Sequence, residues 1–287
     1  MHIKKIRDAI EIVPLLFLLE LTKPFSFKYR RRIASVWFAL LLFFSRKLRK
    51  RVEDNLSLAM PKLLGSRKKS FIRKFSYFTA STFIELIFNE EFHTSSESFF
   101  YSRSELEPLF LAKKSGRPIL IVSAHIGPWE AVRAVLKNNG LTAGAIYKKN
   151  KNQFYEKIHL NAIKSGGEPI FPTGTSGTKK MIDYIKKGGI VAVMLDQADE
   201  NGEFFNFLGV PAKTSTSVAK IAIKYDALLV PAYALRDEMT SLIRVHFEKP
   251  LVSSNYQELT ELVTKSIERR VSAHPAQWYW FHRRWKY

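Results

Sequence analysis

The stretch that decides the fold is Ile119–Glu130, ILIVSAHIGPWE. Ile119 to Val122 is an unbroken apolar, largely β-branched run and reads as a buried strand. It ends in Ser123-Ala124-His125, turns at Gly127-Pro128, and gives way to a helical pattern from Trp129-Glu130. A histidine thus falls at the carboxyl end of a strand, with a carboxylate in the first turn of the next helix. In open α/β sheets that edge is where ligands bind. A histidine can take a hydroxyl proton near neutral pH, and a nearby carboxylate can hold its ring and stabilise the imidazolium. The spacing H-x-x-x-x-E alone is weak. A histidine capping backbone groups, beside a glutamate favoured in a first helical turn, fits it equally well.

Outward from this stretch, everything after Gly116 alternates strand and helix. Strands are expected at Pro118–Val122, Thr142–Ile146, Glu168–Phe171, Ile190–Leu195 and Leu228–Leu235, with a further one at Leu242–Phe247. Helices are expected at Trp129–Asn138, Gln153–Lys164, Ser176–Lys187, Thr214–Tyr225 and Tyr256–Ser272. Gly140, Gly166-Gly167 and Gly188-Gly189 stand where helices should stop. This rhythm predicts an α/β fold, a mixed, largely parallel central sheet flanked by helices, over residues 63–287. Upstream, Ser70–Phe88 repeats apolar residues at helical spacing, His93 and Ser95–Ser98 read as a loop, and Ser104–Ala112 as a short helix.

Residues 1–62 differ. Ala9–Leu21 and Ile33–Phe44 are strongly apolar, yet each is shorter than the roughly 20 residues that cross a bilayer. Basic clusters flank them, Lys28–Arg32 and Arg46–Arg51, and no small-residue cleavage site marks a secretory signal. The expectation is an N-terminal helical membrane-associating region that lies in an anionic interface rather than spanning it. The plainer alternative is a helix pair packed on the domain with a solvated basic rim. The chain's formal charge of +20 over 287 residues points the same way, toward an anionic partner. The absence of cysteine excludes disulfides, thiolate metal sites and a cysteine nucleophile. With no H-E-x-x-H, neither metal nor cofactor is expected.

Other residues are candidates for chemistry. Asp196 ends the strand Ile190–Leu195 and should face the same edge as His125, to orient a substrate, to anchor a basic residue, or merely to open an Asx turn. Tyr147, Lys148, Lys149 and Lys164 approach that edge and can contact phosphate, as can His282, Arg283 and Arg284; solvated surface charge is the bland reading of each. His159 reads as a surface histidine. Gly174–Gly177 lacks the lysine of a phosphate-binding loop. Ser123, Ser176 and Ser215 sit in no G-x-S-x-G elbow. Phe204–Thr214 reads as a loop whose phenylalanines must bury against something.

His125–Glu130, Asp196-Gln197, Phe204–Thr214 and the tail Pro275–Lys286 (PAQWYWFHRRWK) together resemble the bacterial lipid A biosynthesis acyltransferases, the late lauroyl/myristoyl transferases of the glycerolipid acyltransferase-like superfamily. Val52–Pro61 (VEDNLSLAMP) is similar to the segment that precedes their catalytic domain. The resemblance implies acyl transfer from a thioester, on acyl carrier protein or coenzyme A, to a hydroxyl of a phosphorylated glycolipid, a lipid A precursor. His125 would be the general base, Glu130 its orienting acid and Asp196 a later acid. Lys164 would stand near a family arginine, and Phe204–Thr214 would form the wall of an acyl channel. Backbone N–H groups at Gly127–Trp129, or a basic side chain, would support the oxyanion. The expected location is the cytoplasmic face of a bacterial inner membrane, peripheral or monotopic. Two alternatives stay open: a coenzyme A-dependent acyltransferase for another membrane glycolipid or phospholipid, and, more distantly, a non-enzymatic basic protein that binds nucleic acid. No nucleic acid partner is expected under the first reading.

Overall fold

A computed structural model describes residues 2–66, 68–94 and 99–286. The chain opens with three helices, α1 (His2–Thr22), α2 (Phe27–Phe44) and α3 (Arg46–Ala59), followed by α4 (Lys68–Ile87) and α5 (Asn89–Thr94). A short strand β1 (Phe99–Phe100) and helix α6 (Arg103–Lys114) lead into β2 (Ile119–Ser123). Then come α7 (Glu130–Asn138), β3 (Gly144–Tyr147), α8 (Gln153–Ser165), β4 (Ile170–Pro172), α9 (Thr175–Ile185) and β5 (Ile190–Met194). A hairpin, β6 (Glu203–Phe207) and β7 (Val210–Thr214), precedes α10 (Ser217–Lys224), β8 (Leu228–Arg236), β9 (Ile243–Phe247) and α11 (Tyr256–Ala273).

Seven strands form one sheet in the order β1-β9-β8-β2-β5-β3-β4, antiparallel only between β8 and β9. The expected α/β architecture with a mostly parallel sheet is therefore present. Its central strands are buried on both faces, which is why they read as continuous apolar runs. Along β2, Leu120 and Val122 enter one core with α9, α10 and α11, while Ile119 and Ile121 enter the other with α5, α6 and α7. The chain leaves β2 for β3 and β4 on one side, returns to β5, then crosses to β8 on the other side. The switch lies at β2, beside β5, and opens a crevice at their carboxyl ends.

Three local expectations change. Phe204–Thr214 is the β6–β7 hairpin rather than a loop, closed by Leu208-Gly209 with both residues at positive φ (53° and 77°). That is the backbone of a two-residue hairpin turn, but leucine in place of Asn or Asp, with Pro211 inside the strand, hides it. The following helix starts at Ser217 because β7 takes Thr214. His93 lies in α5, and Ser95–Ser98 fall outside the described residues.

The first helices are built into this frame. Val52 and Leu56 of α3 and Leu42 of α2 are buried in the same core as β2. Glu85 of α4 receives the guanidinium of Arg31 from α2 at 3.0 Å and that of Arg236 from β8, all three buried. None of the described helices is long and apolar enough to cross a membrane. On the far side of the sheet, buried Arg133 of α7 donates to Glu130 at 3.0 Å and to the carbonyls of Ile163 and Gly167. Asn89 of α5 donates to the same glutamate at 3.2 Å. Gly166 has to be glycine here: a Cβ would fall 2.7 Å from Glu130 Oε2. Buried His93 stands beside this pair. Burial pushes its pKa down to about 4, against the pull of the Glu130 carboxylate.

Removing one partner of a buried ionic network leaves charge uncompensated. Glu85→Ala should therefore cost about 3–5 kcal/mol in urea unfolding. His93 binds its proton more weakly folded than unfolded, so stability should be full above pH about 6.5 and fall as pH drops toward about 4. The loss should reach at most about 3 kcal/mol, and His93→Phe should flatten that part of the stability–pH curve.

Candidate active site

His125 lies two residues past β2 and Asp196 two residues past β5. The parallel register pairs Ser123 with Met194, and Leu195 N–H donates to Ser123 O at 3.0 Å, so the two side chains leave the sheet edge together. Asp196 Oδ1 meets His125 Nδ1 at 2.8 Å, and its Oδ2 accepts the backbone N–H of His125 at 2.9 Å. The indole N–H of Trp278 donates to Oδ2 at 2.8 Å. The Asp196 side chain is fully buried, while that of His125 is one-fifth exposed. Burial alone would raise the Asp196 pKa, but His125 and the bonds it receives hold it well below the usual carboxylate range. A carboxylate on Nδ1 fixes the tautomer that carries Nδ1–H and leaves the Nε2 lone pair available as a base.

The chain's tail completes the site. Ile126 and Trp278 form an antiparallel bridge, Gly127 N–H donates to Gln277 O at 3.0 Å, and Tyr279 N–H donates to His125 O at 2.9 Å. Gln277 is itself clamped on the Arg236 backbone through both ends of its amide. Asn55 of α3 donates to the carbonyls of Trp280 (2.7 Å) and His282 (2.8 Å), which ties Val52–Pro61 to the tail. Gly127 sits at φ +56° with no room for a side chain, since a Cβ would lie 2.2 Å from Ala234 O. Around the His125 ring stand Trp129 (5.1 Å between centroids), His282 (4.6 Å) and Tyr279 (6.5 Å). Burial and the neighbouring His125 push the His282 pKa down to about 3, so this second imidazole is neutral at ordinary pH.

Sequence expectations meet this geometry unevenly. His125 and Asp196 come together as their strand ends require. Glu130 does not orient His125: its carboxylate is taken by Arg133 and Asn89, and Asp196 occupies the orienting position. Glu130 pairs with Arg133, three residues on in the same helix, while Lys164 is exposed and 3.6 Å from Glu168. The N–H groups of Gly127 and Trp129 are not free for an oxyanion, because they donate to Gln277 O and Gly127 O. Arg284 is buried and donates to Lys213 O (2.7 Å) and Thr214 Oγ1 (2.6 Å), so it braces β7 rather than presenting itself to phosphate. Arg283 is exposed. Tyr147 ends β3 with its hydroxyl on Glu156 at 3.3 Å, and Lys148 beyond it is exposed. His159 is half-buried, bonded to Asn150 and stacked on Tyr155.

Sequence reading missed Trp278 and Arg133, and read His282 as a phosphate contact rather than a neighbour of the His125 ring. Trp278 and His282 carry no local signal of their destination, since only tail pairing brings them to His125. Arg133 was readable as an i,i+3 partner of Glu130. Potential metal ligands of His125, Asp196 and His282 lie within 4.8 Å of one another. Both Asp196 oxygens already accept N–H bonds, and the indole donor cannot yield its proton. This donor set suits proton transfer better than metal ligation.

The model for the family described as bacterial lipid A biosynthesis acyltransferase matches residues 7–287. Lipid A biosynthesis acyltransferase 2 of Shigella flexneri is 20% identical over 245 residues, which cover 82% of this chain and 77% of that protein. A lipid A biosynthesis acyltransferase of Haemophilus influenzae is 20% identical over 243 residues, 82% of this chain and 75% of that protein. With the matched span taking in β2, β5 and the tail that closes over them, the chain belongs to the bacterial lipid A biosynthesis acyltransferase family and is an acyltransferase.

Proposed function

We propose that this acyltransferase moves a fatty acyl chain from a thioester, on acyl carrier protein or coenzyme A, to a hydroxyl of a phosphorylated glycolipid of the lipid A precursor class. The observation that carries the reading is the Asp196 carboxylate on His125 Nδ1. His125 Nε2 removes the acceptor hydroxyl proton as that oxygen attacks the thioester carbonyl. The C–S bond breaks, and the proton passes to the departing thiolate. Asp196 holds the ring and stabilises the imidazolium between these steps. Glu130 supports the site from behind by fixing Arg133.

Two features beside the dyad suit the substrates. An apolar groove of about 640 Å³ between α1, α2 and α4 is lined by Leu15, Trp37, Leu41 and Ile84 and reaches Phe83 and Tyr155. Phe83 packs on Trp129 and Tyr279, the rings beside His125, so the groove fits an acyl chain whose carbonyl lies at the base. A basic notch of about 460 Å³, with Lys47, Arg51 and Arg283, opens where Asn55 holds the tail and suits a phosphate. Exposed Ile6, Ile10, Val13, Phe17, Phe43 and Phe44 on α1 and α2, amid basic residues, fit docking at an anionic bilayer. We place the protein on the cytoplasmic face of a bacterial inner membrane, where acyl thioesters are made.

The test is acyl transfer from labelled thioesters into extracted glycolipid. His125→Ala and Asp196→Asn should each lower kcat about 10²–10⁴-fold with KM little changed. Glu130→Gln should act mainly on thermal stability. Full turnover by folded His125→Ala would sink the mechanism, and a loss confined to Glu130→Gln would return the orienting role to that residue. Acyl carrier protein and coenzyme A thioesters, run side by side, identify the donor.

A further inference from the structure

Across α2 from the apolar groove lies a second one, of about 890 Å³, which shares no lining residue with the first. It takes Val36 and Ala39 from α2, where the first takes Ala34, Trp37 and Leu41. Val36, Ala39, Ile72 and Tyr77 make its floor apolar. Its rim is cationic. Lys68 is paired with Glu53 at 2.9 Å and Lys74 with Glu238. Arg49 gives one N–H to Phe43 O at 2.9 Å. Lys69 and Arg73, one turn apart on α4 and both exposed, meet no carboxylate among the described residues. Five cations against two carboxylates leave three positive charges around a hydrocarbon floor. The same face of α2 continues in exposed Phe43.

Each half of this surface narrows the occupant. A nucleic acid or free phosphate would use the cations and leave the floor in water. A neutral lipid would cover the floor and leave the cations unmet. A phosphodiester carrying acyl chains satisfies both. We propose that the groove holds one anionic glycerophospholipid of the bilayer. Its phosphate lies against Lys69 and Arg73, and an acyl chain lies along Val36, Ala39 and Ile72. The site is separate from the catalytic one. Arg73, Tyr77 and Phe78 line the groove, whereas Thr82 and Phe83 of the same helix touch the catalytic turn, about 6 Å further along. The inference rests on the reading above only for placing the protein at an anionic membrane.

The experiment titrates the full chain with monomeric dihexanoyl phosphatidylglycerol by calorimetry, alongside dihexanoyl phosphatidylcholine and inorganic phosphate. Saturable one-to-one binding of the glycerol lipid is expected, at least about tenfold tighter than either comparison. Lys69→Ala with Arg73→Ala should weaken it about thirtyfold. Ala39→Trp, which fills the groove and keeps every charge, should weaken it at least about tenfold, as should Val36→Trp, an equally neutral filling at an exposed position that serves if the first variant misfolds. Lys179→Ala with Lys180→Ala, on α9, removes equal charge elsewhere and should change nothing. Wild-type affinity in the folded groove-filling variants would reduce the cations to a diffuse patch and overturn the proposal, as would equal binding of phosphatidylcholine or phosphate. Acyl transfer in detergent micelles should be unchanged by Ala39→Trp, so failure of the lipid site and failure of the acyl-transfer reading are separate results.

Discussion

A carboxylate taken wholly out of water is costly unless it is met by donors, and Asp196 is met by three. Each comes with a condition on the fold. The two bonds from His125 require β5 to lie beside β2 in a single register. The third requires the tail to pass antiparallel to the catalytic turn and bring an indole beneath it. Gly127 lets that turn approach β8 without a clash, and Gln277 locks the tail to the end of the same strand. Strand order, turn and tail are thus all consequences of satisfying one buried charge.

The parts of this that were readable in the sequence are those that depend on neighbours along the chain. β2, β5 and β8 announce themselves as apolar runs, the first two opening just after glycines, because strands covered on both faces need no alternation. The site was only half readable. Glu130 attracted attention by proximity to His125, yet a carboxylate in a first helical turn is within reach of the residue three further on, and Arg133 captures it. The true partner is 71 residues away and becomes visible only once two parallel strands are set side by side. Arg284 misled for a related reason. A basic residue in a basic tail reads as exposed, and nothing local shows that the Lys213 carbonyl and Thr214 hydroxyl of β7 await it. The hairpin escaped because Leu208 occupies a backbone position that most turns give to asparagine or glycine.

The N-terminal helices are part of the frame around the site. α2 lies along α4, held by the ionic cluster at Glu85, and forms a wall of both grooves. One groove reaches Phe83, which packs on the rings beside His125; the other has a rim of cations. A single helix therefore partitions two lipid-shaped spaces. Its hydrophobicity serves internal division as much as any external surface.

The pairing of the tail with the catalytic turn also sets a temporal order. During synthesis His125 and Asp196 leave the ribosome well before Gln277–Arg284, so the nascent sheet can assemble while Asp196 still lacks its indole and the turn lacks its antiparallel partner. The His125–Asp196 pair is completed only when the Gln277–Arg284 segment, made after both, pairs with the turn.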